Sequence, residues 1–230
     1  MMYLCSMETM KNVQCLVLDF DGTIGDSTAL IVRTMQATMR ELGLPVKDAA
    51  TCSTTIGLPL AKCFSTILPL TEEEAEHCAT VYRRIFAEGN TPDAVKPFPH
   101  VLATLRRLHE QGITMAIASS RGHETLDGYV HDMGLTDIVS MVVGADDVVK
   151  AKPDPEPVLI VLRQLGFTAE ETVVVGDMAY DILMGRNAGC RTAGVTYGNG
   201  TREELQDAGA DAVVDDFQEL NGIIKKSAAS

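Results

Sequence analysis

The chain has 230 residues, enough for one sizeable core or a core with a small accessory domain. Its formal charge is −13 and no stretch is rich in Lys or Arg, which argues against a nucleic-acid partner. No apolar run approaches the roughly 20 residues of a membrane span, so no membrane partner is expected either.

The opening MMYLCSMETMKNVQ has no basic start followed by an apolar core, so it does not read as a secretion signal. It reads as a frayed tail, with Met1, Met2, Met7 and Met10 all open as starts. Six cysteines (Cys5, Cys15, Cys52, Cys63, Cys78 and Cys190) form no CxxC and no zinc-spaced set with histidine. They are expected to be buried free thiols of a cytoplasmic protein. His109 and His123 fall where surface helix or turn residues are expected.

Short apolar, β-branched runs recur along the chain. They are VQCLVLD (13–19), ITMAIAS (113–119), IVSMVVG (138–144), TVVVGD (172–177), TAGVTY (192–197) and DAVVDD (211–216). None alternates cleanly, which suits strands buried on both faces of a parallel sheet. Helical patterns lie between them. HVLATLRRLHEQG places Val101, Leu102, Leu105 and Leu108 on one face and ends at Gly112. DPEPVLIVLRQLG places Leu159, Leu162 and Leu165 along one stripe and ends at Gly166. Alternating strands and helices predict an α/β fold, a doubly wound Rossmann-like parallel sheet.

One interval breaks the alternation. Residues 28–96 carry helix signals and no convincing strand. Leu30, Ile31, Met35, Met39 and Leu42 recur at helical spacing, and Thr71 with Glu74 forms a capping-box pair before a long helix. An α-helical cap domain over 28–96 is therefore expected, inserted in a core made of 1–27 and 97–230.

In such a sheet, ligands bind at the carboxyl ends of the strands. Those ends carry Asp19 and Asp21, then Ser119 and Ser120, then Asp177 and Asp181, with Lys152 in a loop before a helix. Several carboxylates that close cannot all ionise unless a cation joins them. Hard oxygen ligands suit Mg²⁺. Asp19 is placed to act as a nucleophile toward phosphorus, and Asp21 as general acid and then general base. Gly22 lets the chain turn sharply off the strand. A calcium loop starting at Asp19 fails, because its sixth and twelfth positions hold Ile24 and Leu30. A lone DxDG is common by chance. DxDGT after a buried strand, then a serine, then KP, then GDxxxD in that order is not.

These segments, DFDGTIGDS, IASS, AKPDPEP and VGDMAYDI, resemble the four ordered motifs of the haloacid dehalogenase superfamily. The resemblance runs from Val13 to Leu220. Within it, IGLPLAKCF, DDVVKAKPDPEPVL and TAGVTYGNGTREEL look most like the phosphoglycolate phosphatase and pyrophosphatase group. It implies Asp19 as nucleophile and Mg²⁺ ligand, Asp21 as acid/base lending its backbone carbonyl to Mg²⁺, and Asp177 as a further ligand. Asp181 would support the metal shell, and Ser119, Ser120 and Lys152 would hold phosphoryl oxygens. Dehalogenases and phosphonatases lack the second aspartate present here as Asp21. The phosphonatase cap lysine would fall at Leu60, and the mutase histidine at Ile31. Gly25 stands where a larger apolar residue is usual, and His100 where glycine is common.

The expected activity is Mg²⁺-dependent hydrolysis of a small phosphorylated metabolite, phosphoglycolate first, with pyrophosphate or sugar phosphates as alternatives. A phosphoaccepting receiver module is the non-enzymatic alternative. The cap cations Arg33, Lys62 and Arg84 stay outside the expected site. Oligomeric state is left open.

Overall fold

The computed structural model describes residues 9–91 and 94–226. Six parallel strands form the central sheet: β1 (Cys15–Leu18), β4 (Thr114–Ala118), β5 (Val139–Val143), β6 (Thr172–Gly176), β7 (Arg191–Val195) and β8 (Ala212–Val214). Their order is β5-β4-β1-β6-β7-β8. Strand β1 is wholly buried, with Leu16 and Leu18 in one core and Cys15 and Val17 in the other. That explains its unbroken apolar run, because both faces are covered. The later strands lie on both sides of β1. The switch point therefore falls at its carboxyl end, where Asp19 begins.

Helices α5 (Val101–Glu110), α6 (His123–Asp132), α7 (Glu156–Leu165), α8 (Ala179–Asn187), α9 (Arg202–Asp207) and α10 (Leu220–Ile223) accompany the sheet. Gly112 and Gly166 close α5 and α7 at φ of +79° and +76°. The stripe read on α7 needs correction. Pro157, Val158, Val161 and Leu162 are buried, whereas Leu159 is 45% exposed. The side facing the sheet is the β-branched one, since the i, i+3, i+4 set starts at Val158.

Between β1 and α5 the chain forms α1 (Thr28–Glu41), α2 (Ala49–Ser53), α3 (Leu60–Ile67) and α4 (Glu72–Gly89). None of the described residues of this stretch enters the central sheet. The Thr71–Glu74 capping box starts α4, with Thr71 N donating to Glu74 Oε2 at 2.8 Å and Glu74 N to Thr71 Oγ1 at 3.3 Å. The helical stretch leaves and returns through a two-stranded antiparallel ribbon, β2 (Gly25–Asp26) and β3 (Lys96–Pro97), which the sequence reading did not include. A two-residue strand is too short to show a period.

Both departures noted in the sequence have a local reason. A Cβ on Gly25 would sit 2.8 Å from the Phe20 ring and 2.9 Å from Val95, so those side chains occupy the space a larger residue would take. Gly25→Leu is expected to destabilise the fold by about 1–3 kcal/mol through overpacking, read as a lowered urea midpoint. His100 adopts φ +63°, the region that favours glycine, and its Nδ1 lies 2.7 Å from Asp216 Oδ2.

The expected frayed tail is tied down from Met10 onward. Met10 is buried, its N–H donates to Ile223 O at 2.7 Å, and Lys225 N donates back to Met10 O at 2.9 Å. Met1, Met2, Met7 and Cys5 lie outside the described residues. The other five cysteines are buried and free. Among the described residues, no helix is long and apolar enough to cross a membrane.

Candidate active site

The site begins where β1 runs out. The Asp19 N–H still donates to Val175 O at 2.9 Å, so the residue after the strand stays in sheet register. The chain then folds back on itself, with Gly22 N donating to Gly25 O at 3.0 Å and Gly25 N to Phe20 O at 2.9 Å. Gly22 has φ +94°, and a Cβ there would come within 2.2 Å of Asp177 Oδ2. Only glycine permits both the turn and this approach.

Asp19, Asp177 and Asp181 are buried, and one oxygen from each lies within 4.8 Å of the others. Asp177 follows β6 and accepts from Thr23 Oγ1 at 3.0 Å, Asn199 N at 2.7 Å and Asn199 Nδ2 at 3.1 Å. Asp181, in the first turn of α8, accepts from Met178 N at 3.0 Å. Its other oxygen meets Lys152.

Lys152 is buried, with its ammonium 2.5 Å from Asp19 Oδ1 and 2.6 Å from Asp181 Oδ1. Burial opposes its charge, but Asp181 and Asp19 outweigh that and hold the ammonium above the ordinary lysine range. The carboxylates remain under-compensated. Burial raises Asp19 well above the usual carboxylate range, against the pull of Lys152, and Asp181, Asp177 and Asp21 add to the rise. Burial and then Asp181 push Asp177 up to about 7, despite the hydrogen bonds from Asn199 and Thr23. Three oxygen donors short of positive charge make a set that fits a hard divalent cation.

Beside this cluster lies a cavity of about 270 Å³, lined by Ser119, Ser120 and Lys152 and edged by Pro59 and Val148. Ser119 follows β4 and is buried, and its N–H donates to Val143 O at 3.0 Å. Its hydroxyl makes no hydrogen bond to a described residue. Ser120 is differently placed. Its hydroxyl donates to Gly57 O at 2.6 Å, tying the end of β4 to the helical stretch.

Asp21 is held by a residue absent from the sequence reading. Arg121 donates through Nε to Asp21 Oδ2 at 2.9 Å and through Nη2 to Oδ1 at 2.7 Å. The Ser27 hydroxyl also donates to Asp21 Oδ1. The two charged side chains are 9% and 13% exposed. The Arg121 guanidinium lies 4.6 Å from the Phe86 ring centre of α4 and 5.4 Å from that of Tyr129 of α6.

The family model for haloacid dehalogenase-like hydrolases matches residues 16–195. The chain belongs to the haloacid dehalogenase-like hydrolase family. It is therefore read as an enzyme, and the receiver-module alternative falls away. This hydrolase is 37% identical over 210 residues to a Dickeya dadantii protein named probable phosphatase IndB, covering 90% of this chain and 91% of that one. It is 32% identical to the pyrophosphatase PpaX of Halalkalibacterium halodurans, covering 92% and 97%. It is 28% identical to the phosphoglycolate phosphatase of Salmonella paratyphi A, covering 93% of each. A solved haloacid dehalogenase-like protein from Bacteroides fragilis superposes with a TM-score of 0.87 at 27% identity, covering 91% of this chain and all of that one.

Arg121, Thr23, Ser27 and Asn199 are the polar partners that the sequence reading of this hydrolase missed. Arg121 and Asn199 do follow strands β4 and β7 at their carboxyl ends, so the rule that located Ser119 would also have located them. Arg33 and Lys62 are exposed, and Arg84 is exposed and paired with Glu41 and Glu88.

Proposed function

We propose that the protein is a Mg²⁺-dependent phosphatase of small phosphorylated metabolites, working through a phosphorylated Asp19. The observation that carries this reading is Lys152 seated between Asp19 and Asp181, beside the Asp19, Asp177 and Asp181 oxygens and next to the Ser119-lined cavity.

In this reading, an Asp19 carboxylate oxygen attacks phosphorus and the bond to the leaving oxygen breaks. Asp21 gives that oxygen its proton, then takes a proton from the water that attacks the phosphorylated Asp19. Phosphate leaves and the Asp19 carboxylate is restored. Lys152 and the Ser119 hydroxyl hold phosphoryl oxygens, and Lys152 offsets the negative charge that builds on them. Mg²⁺, held by Asp19, Asp177 and the Asp21 backbone carbonyl with Asp181 behind them, would supply charge neutralisation at the phosphoryl group when bound. Residues 28–96 act as a cap over a core of 1–27 and 97–230, hinged at the β2–β3 ribbon. Ser120 then serves closure, through Gly57, rather than phosphate binding.

Phosphoglycolate is the first substrate to test, and pyrophosphate the second. Both names occur among the relatives, and both molecules carry an anionic group close to the phosphoryl centre. Phosphate release should be measured over a metabolite panel with Mg²⁺ and again after chelation. Turnover of at least one member that vanishes on chelation and returns with Mg²⁺ is the expected result. Full turnover by chelated enzyme would remove the metal from the reading, and no turnover of any member would remove the activity.

A further inference from the structure

A substrate with a second anionic group needs a cation beyond the one at its phosphoryl group. The cations of the helical stretch named above do not supply it, since Arg33, Lys62 and Arg84 are all exposed. Lys152 already spans Asp19 and Asp181. Among the described residues, Arg121 is the remaining cation that the site buries.

Three features of Arg121 suit anion binding. Its side chain is only 9% exposed, so its charge is already removed from bulk water. Phe86 and Tyr129 lie against it and hold its plane, so little ordering remains to be done when a ligand arrives. Its Nε and Nη2 are engaged by Asp21, while Nη1 makes no hydrogen bond to a described residue. A planar guanidinium fork matches a carboxylate or phosphate in two-point contact.

We propose that Arg121 is the specificity-determining residue, binding the substrate's second anionic group, a carboxylate or phosphate beside the scissile phosphoryl group. Binding is a partner exchange. The incoming anion takes the place of Asp21 on the guanidinium, so the buried charge is never left alone. The Asp21 oxygens, otherwise occupied by Arg121 and Ser27, are released toward the reacting group. A phosphate ester without a second anion cannot make this exchange as well, and is discriminated against. Because Phe86 belongs to α4, the helical stretch completes the pocket for the second anion. This assignment rests on the phosphatase reading of the same site.

The test uses two inert ligands that differ by one carboxylate, phosphonoacetate and methylphosphonate. Calorimetric titration into the Mg²⁺-loaded protein should show phosphonoacetate binding on the order of 10–100-fold more tightly. In Arg121→Met the two affinities should converge to within about threefold, a change that general loosening of the fold would not produce. Should that variant fail to fold, Arg121→Lys keeps the charge facing Asp21 but loses the fork, and selectivity should fall several-fold. Equal binding of the two ligands by the unmodified protein would overturn the assignment. So would selectivity that survives in Arg121→Met or that is undiminished in Arg121→Lys. Phosphate release from phosphoglycolate and pyrophosphate by the unmodified Mg²⁺-loaded enzyme, measured in parallel, tests the phosphatase reading separately, because both carry the second anion.

Discussion

Lys152→Met is expected to destabilise the chelated protein by about 3–5 kcal/mol at pH 8 and by much less at pH 5. The lysine is buried, and both its contacts are carboxylates, at 2.5 and 2.6 Å. Removing it leaves Asp19, Asp177 and Asp181 together with no cation among them. Asp19 and Asp177 already have folded-state pKa values above their unfolded ones, Asp177 at about 7 against an ordinary 3.8. A carboxylate of that kind binds more protons in the folded state. Its destabilising effect is absent below the unfolded pKa, grows as pH rises, and is complete above the folded pKa. The chelated parent protein should therefore lose stability from about pH 4 upward as these groups ionise, the Asp177 part being complete only above about pH 7. The variant should lose more over the same interval, because Asp19 no longer has the lysine to oppose its burial. Urea unfolding at pH 5, 6, 7 and 8 with chelator measures both. Saturating Mg²⁺ at pH 8 should restore part of the loss in each protein, because a ligand that binds only the folded state stabilises it. A difference between the two proteins that does not change with pH would contradict this account of the cluster.

The sheet was legible because strands covered on both faces write a continuous apolar run, and six such runs became the six parallel strands. The acidic cluster was legible because strand ends in an open α/β sheet converge, so residues as distant as Asp19 and Asp177 could be placed together from their positions alone. Three things were not legible. The β2–β3 ribbon is too short to carry a pattern. The face of α7 was misread because Leu159 is as apolar as Val158 and only packing distinguishes them. The strand-end rule reaches Arg121 as a position beside the site, but its pairing with Asp21, 100 positions away, is set by packing that no local window shows. Its other determinants, Phe86 and Tyr129, come from two further elements. The sequence also put Ser120 beside Ser119 as a phosphate-binding candidate. Both line the cavity, but the Ser120 hydroxyl is taken up by Gly57 O at 2.6 Å.

The two opening aspartates should separate cleanly by substitution. Asp19→Asn is expected to abolish turnover of every substrate, since an amide is a poor nucleophile and a poor ligand for Mg²⁺. It should not unfold the protein. Lys152 keeps Asp181, and a carboxylate that burial holds well above its ordinary range has been removed. Asp21→Asn should behave differently. The nucleophile survives, but no acid protonates the leaving oxygen and no base activates water. With an alkyl phosphate both steps need Asp21, and the rate should fall on the order of 10²–10⁴-fold. With p-nitrophenyl phosphate the leaving group departs without a proton, so the first step should proceed and the second should stall. The expected trace is a burst of nitrophenol, at most one per active site, followed by a slow phase. Mass spectrometry of acid-quenched protein should find the phosphoryl group on Asp19. The asparagine also leaves Arg121 buried opposite a neutral amide, so its unfolding midpoint should drop, and activity must be compared at a temperature where both proteins are folded. Steady turnover of the aryl phosphate by Asp21→Asn at the parent rate, or phosphate on any residue other than Asp19, would contradict the division of labour between the two carboxylates.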